Sequence, residues 1–499
     1  MPFHGDMPPD EFRRHGHALV EWIARYFDTI EQQRVLPAAA PGDLTRALPA
    51  AAPESAQPFE DLIADLDRLI LPHATHWNHP GFFAYFAITG SGPGVLMDFV
   101  SSALNQQAML WRTSPAATEL EDVTLRWLAR LMHLPADTDG VIYDTASIST
   151  MHALAAAREA AVPEVRTRGL AGRLEMTGFR IYCSEHAHSS VDKSVITLGF
   201  GHEALRRIPA DARFSMRADA LDRAIQEDRA AGRLPVAVVA SVGTTSTTSV
   251  DPVPAIAEIC RRHDVWLHVD AAYAGVMAMV PGFEWMREGF DLADSLVVNP
   301  HKWLFTPFDL SVLFTRRMDV LRAAFSLTPE YLKTTDGDVK NLMDTGIQLG
   351  RRFRALKLWG VLRYFGAEGI RARLAEHVRL AQLFAEWVDA DERFERVAPV
   401  PFSVVCFRAV IDRPREESES SSAAARASGG GAPRAREEDS LNEQILARVN
   451  QSGEVFLSHT RLDGKFVIRL AVGNLRTEER HVRRAWELVK EARIGFTSR

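Results

Sequence analysis

Between about Tyr85 and Gly360 the chain alternates helical stretches with short, almost wholly apolar runs. The runs are GVIYD (140–144), FRIYC (179–183), LPVAVVASVG (234–243), VWLHVDAAYAG (265–275) and DSLVVN (294–299). Strands with no polar face must be covered on both sides. The pattern therefore predicts an α/β fold, a mostly parallel sheet between layers of helix. In such sheets ligands sit outside the carboxyl ends of the strands. The residues that follow each run are therefore read together.

A chain of 499 residues exceeds one ordinary core and predicts two or three domains. Residues 10–30 read as a helix with Phe12, Leu19, Ile23 and Phe27 on one face, and residues 59–70 as a second helix. An Ala/Pro-rich connector, 36–58, joins them. Neither helix buries its apolar face alone. Residues 1–84 are therefore expected to form a helical arm docked on another domain or subunit. Residues 85–365 are expected to form the large domain. Residues 366–499 mix helices with strands such as FSVVCFRAV (402–410) and KFVIRLAV (465–472), which predicts a small α+β domain. Within it, 413–440 is rich in Ser, Gly, Ala and charge, has little to bury, and reads as a disordered insert.

Apolar residues at 46% and charged residues at 25% are ordinary for a globular enzyme. A net charge of -7 argues against a nucleic-acid partner. Cys183, Cys260 and Cys406 are far apart and form no CxxC pair, which fits a reducing cytoplasm. No signal core opens the sequence, and no run approaches the roughly 20 apolar residues that cross a bilayer. No membrane association is expected.

Lys302 raises the question of chemistry. It follows SLVV (295–298) and Asn299-Pro300-His301, so an ammonium stands at the end of a core strand. A nucleophile, an anion ligand and a covalent cofactor anchor all fit that placement. Thr145-Ala146-Ser147 open a helix after GVIYD. Free N–H groups there bind phosphate, although a plain Ser/Thr cap fits equally well. His186 and His188 follow FRIYC. No third metal ligand stands at a diagnostic spacing, and a neutral imidazole can stack on a planar ring. Thr244 to Thr248 follow the next run. Asp270 ends VWLHV, where a carboxylate is costly unless paired. It suits the protonated nitrogen of a heteroaromatic cofactor. No GxGxxG follows a strand and no GxxxxGK[ST] loop is present, which removes dinucleotide and P-loop readings. Phosphate cradle, stacking ring, carboxylate and amine are together what pyridoxal 5'-phosphate requires. No metal is expected.

HVDAAYAG (268–275) with NPHKWL (299–304) resembles the group II pyridoxal-phosphate decarboxylases, most closely the aromatic-L-amino-acid decarboxylase branch. HPGFFAYF (79–86), TSPAATELE (113–121), AHSSVDK (187–193), VGTTSTTS (242–249) and LGRRFRALKLW (349–359) extend the resemblance over nearly the whole chain. It implies the type I aminotransferase-like fold and a homodimer with active sites at the interface. It also implies decarboxylation of an amino acid such as tryptophan, tyrosine, dopa or phenylalanine. By position it makes Lys302 the Schiff-base lysine, Asp270 the partner of the pyridinium nitrogen, and His188 the stacking and proton-handling imidazole. Ala146, Ser147, Asn299 and His301 fall where the family holds phosphate, and Thr245 and Ala272 beside the ring. Trp77, Tyr85, Phe86 and Trp111 fall in stretches that line the substrate pocket. Arg351, Arg352 and Arg354 read as a structural ion-pair network.

One departure concerns the loop before LGRR. The resemblance implies a proton-donating tyrosine seven residues before Leu349, where this chain has Leu342. Loss of that tyrosine implies an alternative outcome, in which oxygen diverts the reaction to an aldehyde, ammonia and peroxide, as in an aromatic acetaldehyde synthase.

Overall fold

The computed structural model describes residues 5–162, 164–172, 178–327, 339–411 and 431–494. The apolar runs form strands β1 (Asp139–Tyr143), β2 (Phe179–Ser184), β4 (Leu234–Ser241), β5 (Trp266–Asp270) and β6 (Ser295–Val298). Two further strands, β3 (Leu205–Ile208) and β7 (Ser311–Thr315), complete a seven-stranded sheet in the order β1-β7-β6-β5-β4-β2-β3. β7 runs antiparallel to both β1 and β6, and every other neighbouring pair is parallel. β6 and β7 are buried at every residue, as strands covered on both faces must be. The helix Ala146–Ala161 follows β1 and lies across the sheet. Its Ala153, Ala155, Ala156 and Ala157 are buried, so small side chains let it approach closely.

A second sheet of four antiparallel strands lies later in the chain, in the order β10-β11-β9-β8. Its strands are β8 (Phe394–Arg396), β9 (Val404–Ala409), β10 (Ser458–Leu462) and β11 (Lys465–Ala471). Phe384, Phe394, Phe407 and Trp486 pack together to form its aromatic core. The helix Ala355–Asp389 lies between the two sheets in sequence. Gly366 interrupts it with φ 63°, in the left-handed region that glycine adopts freely. The four-stranded sheet and the helices packed on it form a small unit beside the seven-stranded sheet.

The N-terminal helix Pro9–Asp28 and the short turn after it, Ile30–Gln32, are each tied to other parts of the chain. The Trp22 indole N–H donates to Asp67 at 2.8 Å, and Arg480 grips the Glu31 carboxylate at 2.6 and 2.7 Å. The second arm helix, Phe59–Asp65, continues through a π turn, Leu66–Ile70.

The segment expected to be irregular, 413–440, differs in part. A helix, Gly431–Ser452, begins inside it. Charge explains the difference: Arg434 lies 3.5 Å from Glu438, and the buried Arg408 reaches both Glu438 and Asp439. Residues 412–430 lie outside the described residues.

The arginines after Leu349 each meet a carboxylate: Arg351 with Glu121 at 2.8 Å, Arg352 with Asp98 at 3.3 Å, and Arg354 with Asp309 at 2.8 Å. The Arg351–Glu121 pair is buried. Glu121 also accepts the N–H of Ile142, and Arg351 donates to the Ile142 carbonyl. This network ties the segment after Leu349 to β1. Among the described residues no helix is long and apolar enough to cross a membrane.

Candidate active site

The loops after β1, β2, β4, β5 and β6 meet at one cavity of about 210 Å³. The nine residues expected at the cofactor all line it: Ala146, Ser147, His188, Thr245, Asp270, Ala272, Asn299, His301 and Lys302. Gly243 allows this convergence. It has φ 91°, and a Cβ there would lie 2.7 Å from the Ala274 side chain, so glycine lets the loop after β4 close on the loop after β5.

Asp270 ends β5, and its Oδ1 accepts the Ala272 N–H at 3.1 Å. Lys302 sits on the turn Pro300–Trp303, with its Nζ 5.4 Å from the centre of the Phe86 ring. Burial lowers the proton affinity of this amine, the Asp270 charge opposes that effect, and the Arg469 charge adds to it. His188 Nδ1 accepts the Ser190 N–H at 3.1 Å, which leaves its proton on Nε2. Burial also lowers the pKa of His188, so the ring is neutral near pH 7. His301 follows the same logic. Its Nδ1 accepts the Leu310 N–H at 2.9 Å, and burial brings its pKa down to about 3.

The residues present fit pyridoxal phosphate. The buried Asn299 amide oxygen has no hydrogen-bond partner. The helix Ala146–Ala161 opens on the cavity without a side-chain cap, so its first N–H groups are available to an anion. Lys302, Asp270 and a neutral imidazole line the same cavity. The helix N–H groups are donors for a phosphate, Lys302 is an amine for an aldehyde, Asp270 is a carboxylate for a ring nitrogen, and the imidazole is a flat face for the ring.

The pocket aromatics divide. Phe86 lines the cavity and stacks on Tyr273 at 3.8 Å. Trp77, Tyr85 and Trp111 do not line it. Tyr85 takes a left-handed backbone angle of 54° and is 54% exposed, while Trp77 packs on Phe82 at 4.4 Å. Trp111 is held aside by its indole N–H, which donates to Glu119 at 2.8 Å. Residues that sequence reasoning passed over also line the cavity, among them Ile88, Tyr273 and Phe308. The apolar neighbours of Tyr273 and its place just past β5 were the available signal. His186 packs edge-on to Phe214 and does not line the cavity.

The turn that carries Leu342 lies apart from the cavity. Leu342 is 1% exposed, opens the short turn Leu342–Thr345, and does not line the cavity. The turn is fixed by Met343 N–H donating to Met109 O at 3.0 Å and by Thr345 Oγ1 donating to Leu342 O at 2.6 Å. A side chain at 342 faces the interior, so it cannot present a proton donor to the cleft. The tyrosine nearest before it in the sequence, Tyr331, lies outside the described residues.

The pyridoxal-dependent decarboxylase conserved domain matches residues 41–410. The chain is 38% identical to aromatic-L-amino-acid decarboxylase of Sus scrofa, over 97% of this chain and 96% of that one. It is 37% identical to phenylacetaldehyde synthase of Arabidopsis thaliana, over the same shares. The solved structure of Oryza sativa TDC with PLP and tryptamine superimposes with a TM-score of 0.91 at 36% identity, covering 99% of this chain and all of that one. Sequence match, superposition and the fit of the cavity agree: the chain belongs to the pyridoxal-dependent decarboxylase family, and pyridoxal phosphate is its cofactor.

Proposed function

We propose that the protein decarboxylates an aromatic L-amino acid to the corresponding amine and carbon dioxide, with Lys302 as the residue that bears the cofactor. The observation that carries the aromatic preference is the lining of the cavity. Phe86, Tyr273 and Phe308 supply apolar surface, and Lys302 is the only lysine or arginine among the described lining residues. An acidic side chain would find no free cation there, whereas a flat ring finds aromatic walls.

The cofactor supplies an electron sink for the pair left behind when the carboxylate departs. The chain supplies the rest. Asp270 stands at the strand end where a carboxylate keeps a ring nitrogen protonated. The neutral His188, with its proton on Nε2, offers a donor and a flat face. Asn299, the neutral His301 and the N–H groups of Ala146 and Ser147 hold the phosphate. Apolar surroundings around the departing carboxylate favour loss of its charge as neutral carbon dioxide.

A second reading is favoured by the relatives. A phenylacetaldehyde synthase stands beside the decarboxylases at nearly the same identity. In that reading the products are an aldehyde, ammonia and peroxide.

We also propose a homodimer, built on the apolar face of the helix Gly92–Leu104. Its Leu96, Phe99 and Leu104 are each at least half exposed, and Phe99 stacks on the exposed Phe12 of the N-terminal arm at 6.4 Å. A contiguous apolar patch of this kind marks an interaction surface.

Turnover of a panel of L-amino acids, scored together for carbon dioxide, amine, aldehyde and peroxide, tests the activity. The expected result is amine equal to carbon dioxide, with tryptophan, tyrosine, dopa or phenylalanine preferred over glutamate. Peroxide and aldehyde in step with carbon dioxide would establish the second reading instead. Leu342→Tyr adds volume to a buried site, so it is expected to cost about 1–3 kcal/mol of stability and leave the product ratio unchanged. Denaturant unfolding and the same product assay check both parts. Light scattering of the native protein is expected to give twice the 55.5 kDa chain mass. Phe99→Asp is expected to shift it towards the single chain.

A further inference from the structure

Arg469 lies on β11 of the small unit and is 3% exposed. A buried guanidinium costs several kcal/mol unless an acid compensates it. Three other buried cations have such partners: Arg351 meets Glu121, Arg408 meets Glu438, and Lys357 meets Asp98. Arg469 has no carboxylate within ion-pair distance among the described residues. Its Nε donates to the Ser246 carbonyl at 2.9 Å, and its Nη1 donates to the Tyr85 carbonyl at 2.8 Å. Its Nη2 has no partner. The guanidinium carbon lies 4.9 Å from the centre of the Phe86 ring.

Those contacts place it. Ser246 follows Thr245, and Tyr85 precedes Phe86; Thr245 and Phe86 both line the cavity. Arg469 itself does not line it, but the Phe86 ring it contacts does. Lys302 Nζ lies 5.4 Å from the centre of the same ring. The two cationic groups are therefore no more than about 10 Å apart.

We propose that Arg469 is a positioning residue for the cofactor-bearing amine. It ties the small unit to the pocket wall through Tyr85, Ser246 and Phe86, and sets an uncompensated positive charge beside Lys302. An amine must lose its proton to attack a carbonyl, and a neighbouring cation in a desolvated pocket favours the free base. The other groups facing Lys302 are Asp270, which favours the ammonium, and the imidazoles of His188 and His301. Both imidazoles are neutral, because each Nδ1 accepts a backbone N–H and burial disfavours the charged ring. Among the described residues Arg469 is thus the one permanent cation set against Asp270 at Lys302. At an effective dielectric constant near 20 and a separation of about 10 Å, such a charge moves an amine midpoint by about one pH unit.

The inference rests on the reading of Lys302 as the cofactor-bearing residue, and the two fail differently. In the full-length protein stripped of cofactor, Lys302 is labelled with trace acetic anhydride across a pH series and quantified by peptide mass spectrometry. Arg469→Met is expected to raise the midpoint of Lys302 labelling by about one pH unit. Arg469→Lys keeps the charge and is expected to stay near the wild-type midpoint. Equal midpoints in all three proteins, or equal shifts in both variants, would overturn the proposal. If Arg469→Met does not fold, the wild type still decides: a Lys302 midpoint at or above the ordinary lysine value of about 10.4 overturns it. Protection of Lys302 from the label by added pyridoxal phosphate tests the underlying reading separately.

Discussion

Lys302 stands part-buried at the carboxyl edge of the large sheet, where desolvation penalises the ammonium form. Asp270, at the end of the neighbouring strand, is the charge that opposes that penalty. Much of the surrounding structure serves to keep this amine desolvated without burying an unpaired ion. The turn Pro300–Trp303 fixes the lysine backbone, through Lys302 N–H donating to the Asn299 carbonyl at 2.9 Å. The adjacent imidazoles are held neutral, so they add no competing charge. A lysine so placed suits a Schiff base with an aldehyde, and the fit of the remaining donors to pyridoxal phosphate follows from the same geometry.

The cavity also depends on the small unit. Phe86 stacks on Tyr273 at 3.8 Å, and Tyr273 stacks on Trp303 at 4.4 Å. The Trp303 indole N–H donates to His377 Nδ1 at 2.9 Å, and His377 Nε2 bonds to the Asn474 carbonyl at the same distance. A continuous run of packed rings and hydrogen bonds thus joins the cleft wall to the segment after β11. Tyr273 adds a direct link, its hydroxyl 2.5 Å from Ser403 Oγ. Arg469 crosses the same seam at another point. The side chains of the small unit therefore bear on the geometry of a site whose chemistry lies at the edge of the large sheet.

Much of this was legible in the sequence, for physical reasons. Runs such as VWLHVD and SLVV are apolar on both faces, so they identify buried parallel strands without further context. Functional groups cluster at the ends of those runs, which is why Asp270, Lys302 and the residues after GVIYD could be read together. β3 escaped notice because it is a four-residue edge strand with two arginines. β10, SHTRL, is too polar for its pattern to show. Trp77 and Trp111 were placed by stretch alone, and no sequence pattern tells which way a loop side chain turns. Arg469 was invisible for a related reason. In KFVIRLAV it looks like one more surface arginine, and only the fold reveals that its guanidinium is buried without an acid. Spacing along a loop likewise does not show that Leu342 faces inward.

The chemistry depends on where the cofactor is attached. The most direct test is borohydride reduction of the native holoenzyme, followed by peptide mapping of the phosphopyridoxyl group. A single modified residue, Lys302, is expected, and no such adduct on the protein after Lys302→Ala. A phosphopyridoxyl group on any other lysine, or an undiminished adduct in that variant, would contradict this assignment.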